Sequence, residues 1–380
     1  MVRGQPADGT VLIDTDVHQS LPDLLSYLPR QWREHWATTG LGTGTGYTNP
    51  RGVLRRDTVP PRGGPPASDP LFLLSDHLDR YGIDYAVLTG PFVLPLGADP
   101  DYLNAVASAV NDATADGWLG VSGRFRGSIL VNADDPSAAV GEIHRLGERP
   151  ELVQVLMATT TRQPCGQRAY HPIYAAAVEH GLPVALHPGA EGAGSAGPPT
   201  PVGYPSRYLE WHNVLPLTAM AQLNSLVCEG VFELFPTLRI VLVEAGLSWL
   251  PQLMWRMDKT YKALRDTVPW LTRLPSEYVL EHVRFTTQPL EEPSRPEHLE
   301  QILMMVDAAH TVMFSSDYPH WDNDNPELLF RRLDPAVRAR IMGGTAAELY
   351  GLSRPPPRES LPPYSSDLTP VSTAPEGEHE

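Results

Sequence analysis

The chain is poor in cysteine. Cys165 and Cys228 are the only two in 380 residues, too few for a disulfide framework, and a reducing compartment is expected. Neither has a base close by in sequence, so both read as inert. Uninterrupted apolar runs of membrane-spanning length are missing as well. Residues 239–255 come nearest, and Glu244 and Pro251 break them, so no transmembrane helix is expected. Residues 1–10 have no apolar signal-peptide core, and a cytoplasmic location follows as an expectation. Positive charge is scarce: 29 Lys and Arg face 45 Asp and Glu, a net charge of −16. That excludes nucleic acid and anionic membrane as natural partners, because both require a basic surface. It does not exclude a small anionic substrate held by a few local arginines. No glycine-rich fingerprint follows the first apolar run, which disfavours a dinucleotide-binding doubly wound sheet.

What the chain does contain is a regular alternation. Hydrophobic residues make up 42% of it, enough for a sizeable core. Short, continuously apolar runs at 11–18, 83–88, 126–131, 152–157, 182–186, 238–243, 283–286 and 311–314 read as strands of a parallel sheet covered on both faces. Between them, helices are predicted over 71–81, 100–119, 135–148, 170–180, 215–235, 249–264 and 296–306, with a closing helix over 335–350. A further helix is expected over 24–36. Eight β/α units in roughly this length predict a (β/α)8 TIM barrel. Residues 1–10 form an N-terminal extension and 11–352 the barrel. Residues 40–70, rich in Gly, Pro, Thr and Arg, form a long insertion after the first strand. The tail 353–380 carries seven prolines without periodicity and is expected to be disordered.

Catalytic groups of such barrels lie at the carboxyl ends of the strands. Those positions hold Asp16 and His18 after strand one, His187 after strand five, Glu244 after strand six and Asp317 after strand eight. Asp16 and His18, two apart on an extended chain, share a face. Carboxylates and imidazoles converging on one bowl are what a divalent metal needs. Each residue alone has a plainer explanation, as a helix cap or a hydrogen-bonded structural group; their coincidence at strand ends favours the metal. Around the rim, His212, His320 and Trp321 are candidates to face the bowl. Arg51 and Arg55, in the long insertion, are candidates to clamp a substrate carboxylate.

Several segments carry a more specific likeness: Asp14-Thr15-Asp16-Val17-His18, Leu186-His187-Pro188-Gly189, residues 235–241, the run from Phe314 to His320, and the closing 341–350. Over about residues 11–352 the chain resembles the amidohydrolase superfamily. Within it, the likeness is to the amidohydrolase-related branch that includes aminocarboxymuconate-semialdehyde decarboxylase and γ-resorcylate decarboxylase. The resemblance implies one divalent metal, zinc first and manganese or iron as alternatives, held by Asp16, His18, His187 and Asp317. Asp317 would move a proton. Asp16 stands where the family has His or Glu, and Glu244 where many decarboxylases of the branch have a catalytic His. Glu244 therefore stays open as a metal ligand, a general base, or a carboxylate orienting a neighbouring His. His212 joins Asp317 and Glu244 as a catalytic candidate. That departure places metal-activated hydrolysis of a small carboxylated or cyclic ester, lactone or amide first. Non-oxidative decarboxylation of an aromatic or unsaturated acid is the alternative, and a non-catalytic small-molecule-binding barrel the second. A homodimer is a further expectation of the resemblance.

Overall fold

The computed structural model describes residues 11–41, 53–97 and 99–352. Among them eight strands pair in parallel in the order of the sequence: β1 (Ile13–Val17), β2 (Tyr85–Leu88), β3 (Phe125–Leu130), β4 (Leu152–Ala158), β5 (Val184–His187), β6 (Ile240–Leu242), β7 (Val283–Thr286) and β8 (Val312–Met313). The seam between β8 and β1 is bridged by Thr15 N donating to Phe314 O at 3.0 Å and Asp317 N to Asp16 O at 3.1 Å. The result is a (β/α)8 barrel, as expected. The terminal segments 1–10 and 353–380 lie outside the described residues, as does Arg51.

The strands read as continuous apolar runs because both faces are buried. Leu130, Leu156, Ala185 and Val241 occupy successive register positions and belong to the core cluster of the barrel interior. Their neighbours Ile129, Val155, Val184 and Ile240 pack outward against the helices. Helix starts follow simple chemistry. Asp69, Asp99 and Asp135 each precede a proline and accept hydrogen bonds from first-turn amides, which satisfies donors that have no partner inside the helix.

Five expected helices are interrupted: those over 71–81 and 100–119 by wide turns at Leu74–Asp79 and Ala115–Leu119, and three others for a visible reason. Residues 24–36 split into Leu24–Tyr27 and Arg30–Thr39 at Pro29, which cannot donate to the preceding turn. Residues 215–235 split into Pro216–Cys228 and Val231–Leu234 around Gly230, whose φ is +72°. The closing helix has a wide turn at Arg340–Gly344. There Gly343 meets the start of the first strand, and a Cβ on it would lie 1.8 Å from Val11 O. A helix at Pro275–His282 adds to the expected set. Among the described residues no helix is long and apolar enough to cross a membrane.

Candidate active site

The carboxyl ends of β1, β5, β6 and β8 bring Asp16, His18, His187, Glu244 and Asp317 together at one mouth of the barrel. His18 Nε2 is 3.4 Å from Asp16 Oδ1, 3.4 Å from Glu244 Oε1 and 3.1 Å from Asp317 Oδ1. His187 Nε2 is 3.1 Å from Glu244 Oε1 and 3.7 Å from Asp16 Oδ2. Asp16, His18, His187 and Glu244 make one group of donors within 4.8 Å of one another; His18, Glu244, Asp317 and His320 make a second.

Backbone conformation aims two of these side chains. Glu244 and Asp317 have φ of +48° and +59°, a region that costs a non-glycine residue roughly 1–3 kcal/mol. The fold holds them there: Glu244 N donates to Thr286 Oγ1 at the end of β7 at 3.1 Å, and Asp317 N to Asp16 O across the barrel seam. The imidazoles are fixed by their far nitrogens. His18 Nδ1 donates to Gly90 O at 3.0 Å and His187 Nδ1 to Pro188 O at 2.6 Å. Each ring therefore turns its Nε2 toward the carboxylates, the arrangement typical of metal-binding histidines. Gly90, at φ +89°, also donates its N–H to Gln19 Oε1 at 3.0 Å, which anchors the residue whose carbonyl holds His18.

A deeper network supports this layer. Asp14, on β1, accepts from Ser316 N at 2.8 Å and faces His77 Nε2 at 2.7 Å. It ties the ends of β1 and β8 to the helix preceding β2.

The electrostatics of the cluster demand positive charge. Three carboxylates face one another in a nearly buried space, and at an effective dielectric of about 20 two such charges 4 Å apart repel by about 4 kcal/mol. Burial opposes charge on the histidines, but Asp16, Asp317 and Glu244 push His18 well above its ordinary value. Against the same burial, Glu244 and Asp16 push His187 up to about 10. Burial also opposes charge on Glu244, yet His187 and His18 hold its carboxyl well below the usual range. Among the described residues, the buried atoms Asp16 Oδ2, His18 Nε2 and His187 Nε2 nonetheless find no hydrogen-bond partner. Orphaned donor atoms of these types, aimed at one point, fit a divalent cation.

Above the cluster opens a cavity of about 290 Å3, at the small end of the roughly 300–1,000 Å3 of small-ligand sites. His18, His187, Glu244 and Asp317 line its floor; Phe92, Tyr208, Trp211 and Trp321 are in its wall. The rim candidates His212, His320 and Trp321 all line it. His320 Nδ1 lies 2.5 Å from Asp317 Oδ1, and the His212 Nε2 to Asp322 Oδ2 distance is 3.6 Å. Arg55 requires correction. It is not in the lining, and its guanidinium is engaged side-on by Asp57, with Nε–Oδ1 at 3.1 Å and Nη2–Oδ2 at 2.5 Å. A carboxylate two residues away in the same loop takes up the charge expected to meet a substrate. Arg55→Ala is accordingly expected to leave KM unchanged in steady-state assays. Cys165 is buried, and burial pushes its thiol up to about 12, so it is unreactive at neutral pH.

Thr89 is a site residue that the sequence reading misses. It is the first residue after β2 and donates to Asp16 Oδ1 at 2.6 Å; the strand-end rule, extended to β2, points to it. Thr89→Val removes that bond without changing shape, and losses of such supporting bonds weaken metal binding about 10–100-fold. Titration against a competing chelator reads this directly; unchanged affinity would remove Asp16 from the ligand set.

The chain belongs to the amidohydrolase family, whose profile matches residues 13–352; it is an enzyme of the hydrolase or carboxy-lyase type. It is 27% identical to the γ-resorcylate decarboxylase of Rhodococcus jostii (strain RHA1) over 277 residues, 66% of this chain and 77% of that protein. Among solved structures it resembles the dihydroxybenzoic acid decarboxylase of Polaromonas sp. JS666 with bound manganese and 2-nitroresorcinol. That match has TM-score 0.63 and 20% identity, covering 91% of this chain and 98% of the other. It also resembles the 5-carboxyvanillate decarboxylase of Novosphingobium aromaticivorans DSM 12444 in complex with manganese, with TM-score 0.68 and 18% identity, covering 92% and 98%.

Proposed function

We propose that the protein is a metal-dependent carboxy-lyase that removes carbon dioxide, without oxidation, from a hydroxylated aromatic carboxylic acid. The observation that carries this reading is the small cavity with aromatic groups in its wall and a floor of carboxylates and imidazoles. A single substituted ring fits the space, and its carboxylate and neighbouring hydroxyl would meet the floor. The named decarboxylases among the relatives support it over hydrolysis, which the sequence alone places first.

Asp16, His18, His187 and Asp317 would hold one divalent ion, with Glu244 between the two imidazoles as a further ligand. Manganese, bound in the two solved relatives, stands beside zinc as the ion to test first. When bound, the ion supplies positive charge where the substrate's carboxylate and adjacent oxygen lie, offsetting the acidic floor. The rest is done by the chain. Tyr208, Trp211 and Trp321 hold the ring and exclude water. Asp317, hydrogen-bonded to His320, delivers a proton to the ring carbon that carries the carboxyl group. The bond from that carbon to the carboxyl carbon then breaks, its electron pair restores the ring, and carbon dioxide leaves. His212, paired with Asp322 at the rim, orients a substrate hydroxyl. Proton delivery by a positioned group of this kind contributes about 10²–10⁴-fold.

Manganese-loaded and zinc-loaded protein should be incubated with a panel of mono- and dihydroxybenzoates and, in parallel, with lactones and aryl esters. Carbon dioxide from at least one hydroxybenzoate is the expected outcome. Turnover confined to the lactones or esters would install hydrolysis in its place.

A further inference from the structure

At the opposite, amino-terminal end of the barrel lies a second cavity, of about 540 Å3, lined among others by Arg239, Arg284, Arg340, His310, Thr345 and Glu348. Its position follows from strand geometry. Val241 on β6 pairs in register with Arg284 on β7, and Arg239 lies two residues before Val241. All three therefore point to the same side of the sheet. Val241 belongs to the interior core, so the two arginines form the layer beneath it, where bulky aliphatic side chains usually fill a barrel.

Each of these guanidiniums caps the foot of its own strand. Arg239 Nη1 donates to Pro236 O at 3.3 Å and Leu238 O at 3.0 Å. Arg284 Nη1 donates to Glu281 O at 3.1 Å and Val283 O at 2.9 Å. Arg239 Nη1 also meets His282 Nδ1 at 3.3 Å, and among the described residues these contacts run through one nitrogen of each fork. Neither arginine has a carboxylate within ion-pair distance among the described residues. Arg340 does, through Glu348 at 2.7 Å, but that carboxylate is 69% exposed. His310 is bonded to Asp307 at 3.0 Å. Two guanidiniums without an ion pair among the described residues thus sit beside a third, with Glu348, Asp307 and Glu281, the last engaged by Arg273, as acidic groups nearby, on a protein whose overall charge is −16. Such a concentration of like charge is unfavourable unless an anion offsets it.

We propose that this cavity at the foot of the barrel is an anion-binding site, remote from the catalytic mouth, for a small polyanion presenting phosphate or carboxylate oxygens. Guanidinium forks match both groups through paired N–H donors. Arg239 and Arg284 come from the sheet, whereas Arg340, Thr345 and Glu348 come from the closing helical segment, which also abuts the start of β1 at Gly343. A bound polyanion therefore links that segment to the sheet and stabilises the barrel closure without touching the reaction.

The test is calorimetric titration of the metal-loaded enzyme with inorganic phosphate, pyrophosphate and citrate at constant ionic strength, with chloride as the control. Saturable binding of one equivalent of at least one of these is expected; the phosphate and citrate arms tell phosphate from carboxylate recognition. The double variant Arg239→Gln/Arg284→Gln should raise Kd about tenfold or more, as loss of charge-assisted hydrogen bonds implies, with kcat and metal content unchanged. Should the double variant misfold, Arg340→Gln, at a half-buried side chain whose loss leaves both strand caps intact, decides with the same readout. Absence of saturable binding, or binding undiminished in the variants and therefore located at the metal centre, would overturn the assignment.

Discussion

Asp317→Asn is expected to lower kcat for carbon dioxide release by about 10²–10⁴-fold, the usual contribution of a positioned acid or base, while the protein keeps its metal. The asparagine retains an oxygen at the place of Oδ1, which lies 3.1 Å from His18 Nε2 and 2.5 Å from His320 Nδ1. It loses the ability to carry a proton. The left-handed backbone at this position, φ +59°, is tolerated by asparagine better than by most residues, so the fold should survive. Steady-state kinetics and metal analysis on the same preparation separate the two effects. A kcat within a few-fold of the parent would move proton delivery to Glu244 or His212.

His187→Ala is expected to abolish metal binding and turnover together, and added manganese should not restore either. His187 Nε2 is an orphaned buried donor 3.1 Å from Glu244, and its removal leaves Asp16 and Glu244 facing each other with one fewer cation or ligand between them. The wild-type protein, stripped with a chelator, should lose activity and recover it on reloading. Reloading should also raise thermal stability, because an ion that binds only the folded state contributes about 2.7 kcal/mol at a hundredfold excess over its Kd. Metal content by elemental analysis and melting curves with and without chelator provide the check. Retention of a full equivalent of tightly bound metal by His187→Ala would place the ion elsewhere.

The eight strands are legible because a parallel sheet buried on both faces writes itself as continuous apolar runs, as in Val155-Leu156-Met157 or Ile240-Val241-Leu242. The floor of the site is legible for a related reason: chemistry in such barrels concentrates at strand ends, so Asp16, His18, His187, Glu244 and Asp317 stand out by position. What sequence does not show is how they are aimed. The left-handed turns at Glu244 and Asp317 arise from contacts with Thr286 and Asp16, both supplied by other strands. Likewise, the bond from Thr89 to Asp16 joins residues 73 apart. Arg55 misleads because composition favours a free guanidinium in a loop, whereas the local turn brings Asp57 onto it. The break at Gly230 hides inside a helical pattern, since a glycine in a helix announces itself only when its φ turns positive. The layer of arginines at the foot of the barrel is invisible for the opposite reason. Arg239 and Arg284 interrupt or flank apolar runs and look like ordinary strand boundaries until the register places them side by side.

The most direct measurement is the fate of isotopes during turnover. Metal-loaded protein is incubated with a dihydroxybenzoate in deuterium oxide, and the products are followed by NMR and mass spectrometry. Decarboxylation requires one deuterium at the ring carbon that carried the carboxyl group, one carbon dioxide released per turnover, and loss of both in the chelated protein. If instead no hydroxybenzoate turns over, while an ester or lactone in 18O-labelled water yields an acid carrying the label with no carbon dioxide, the protein is a hydrolase and the carboxy-lyase reading is wrong.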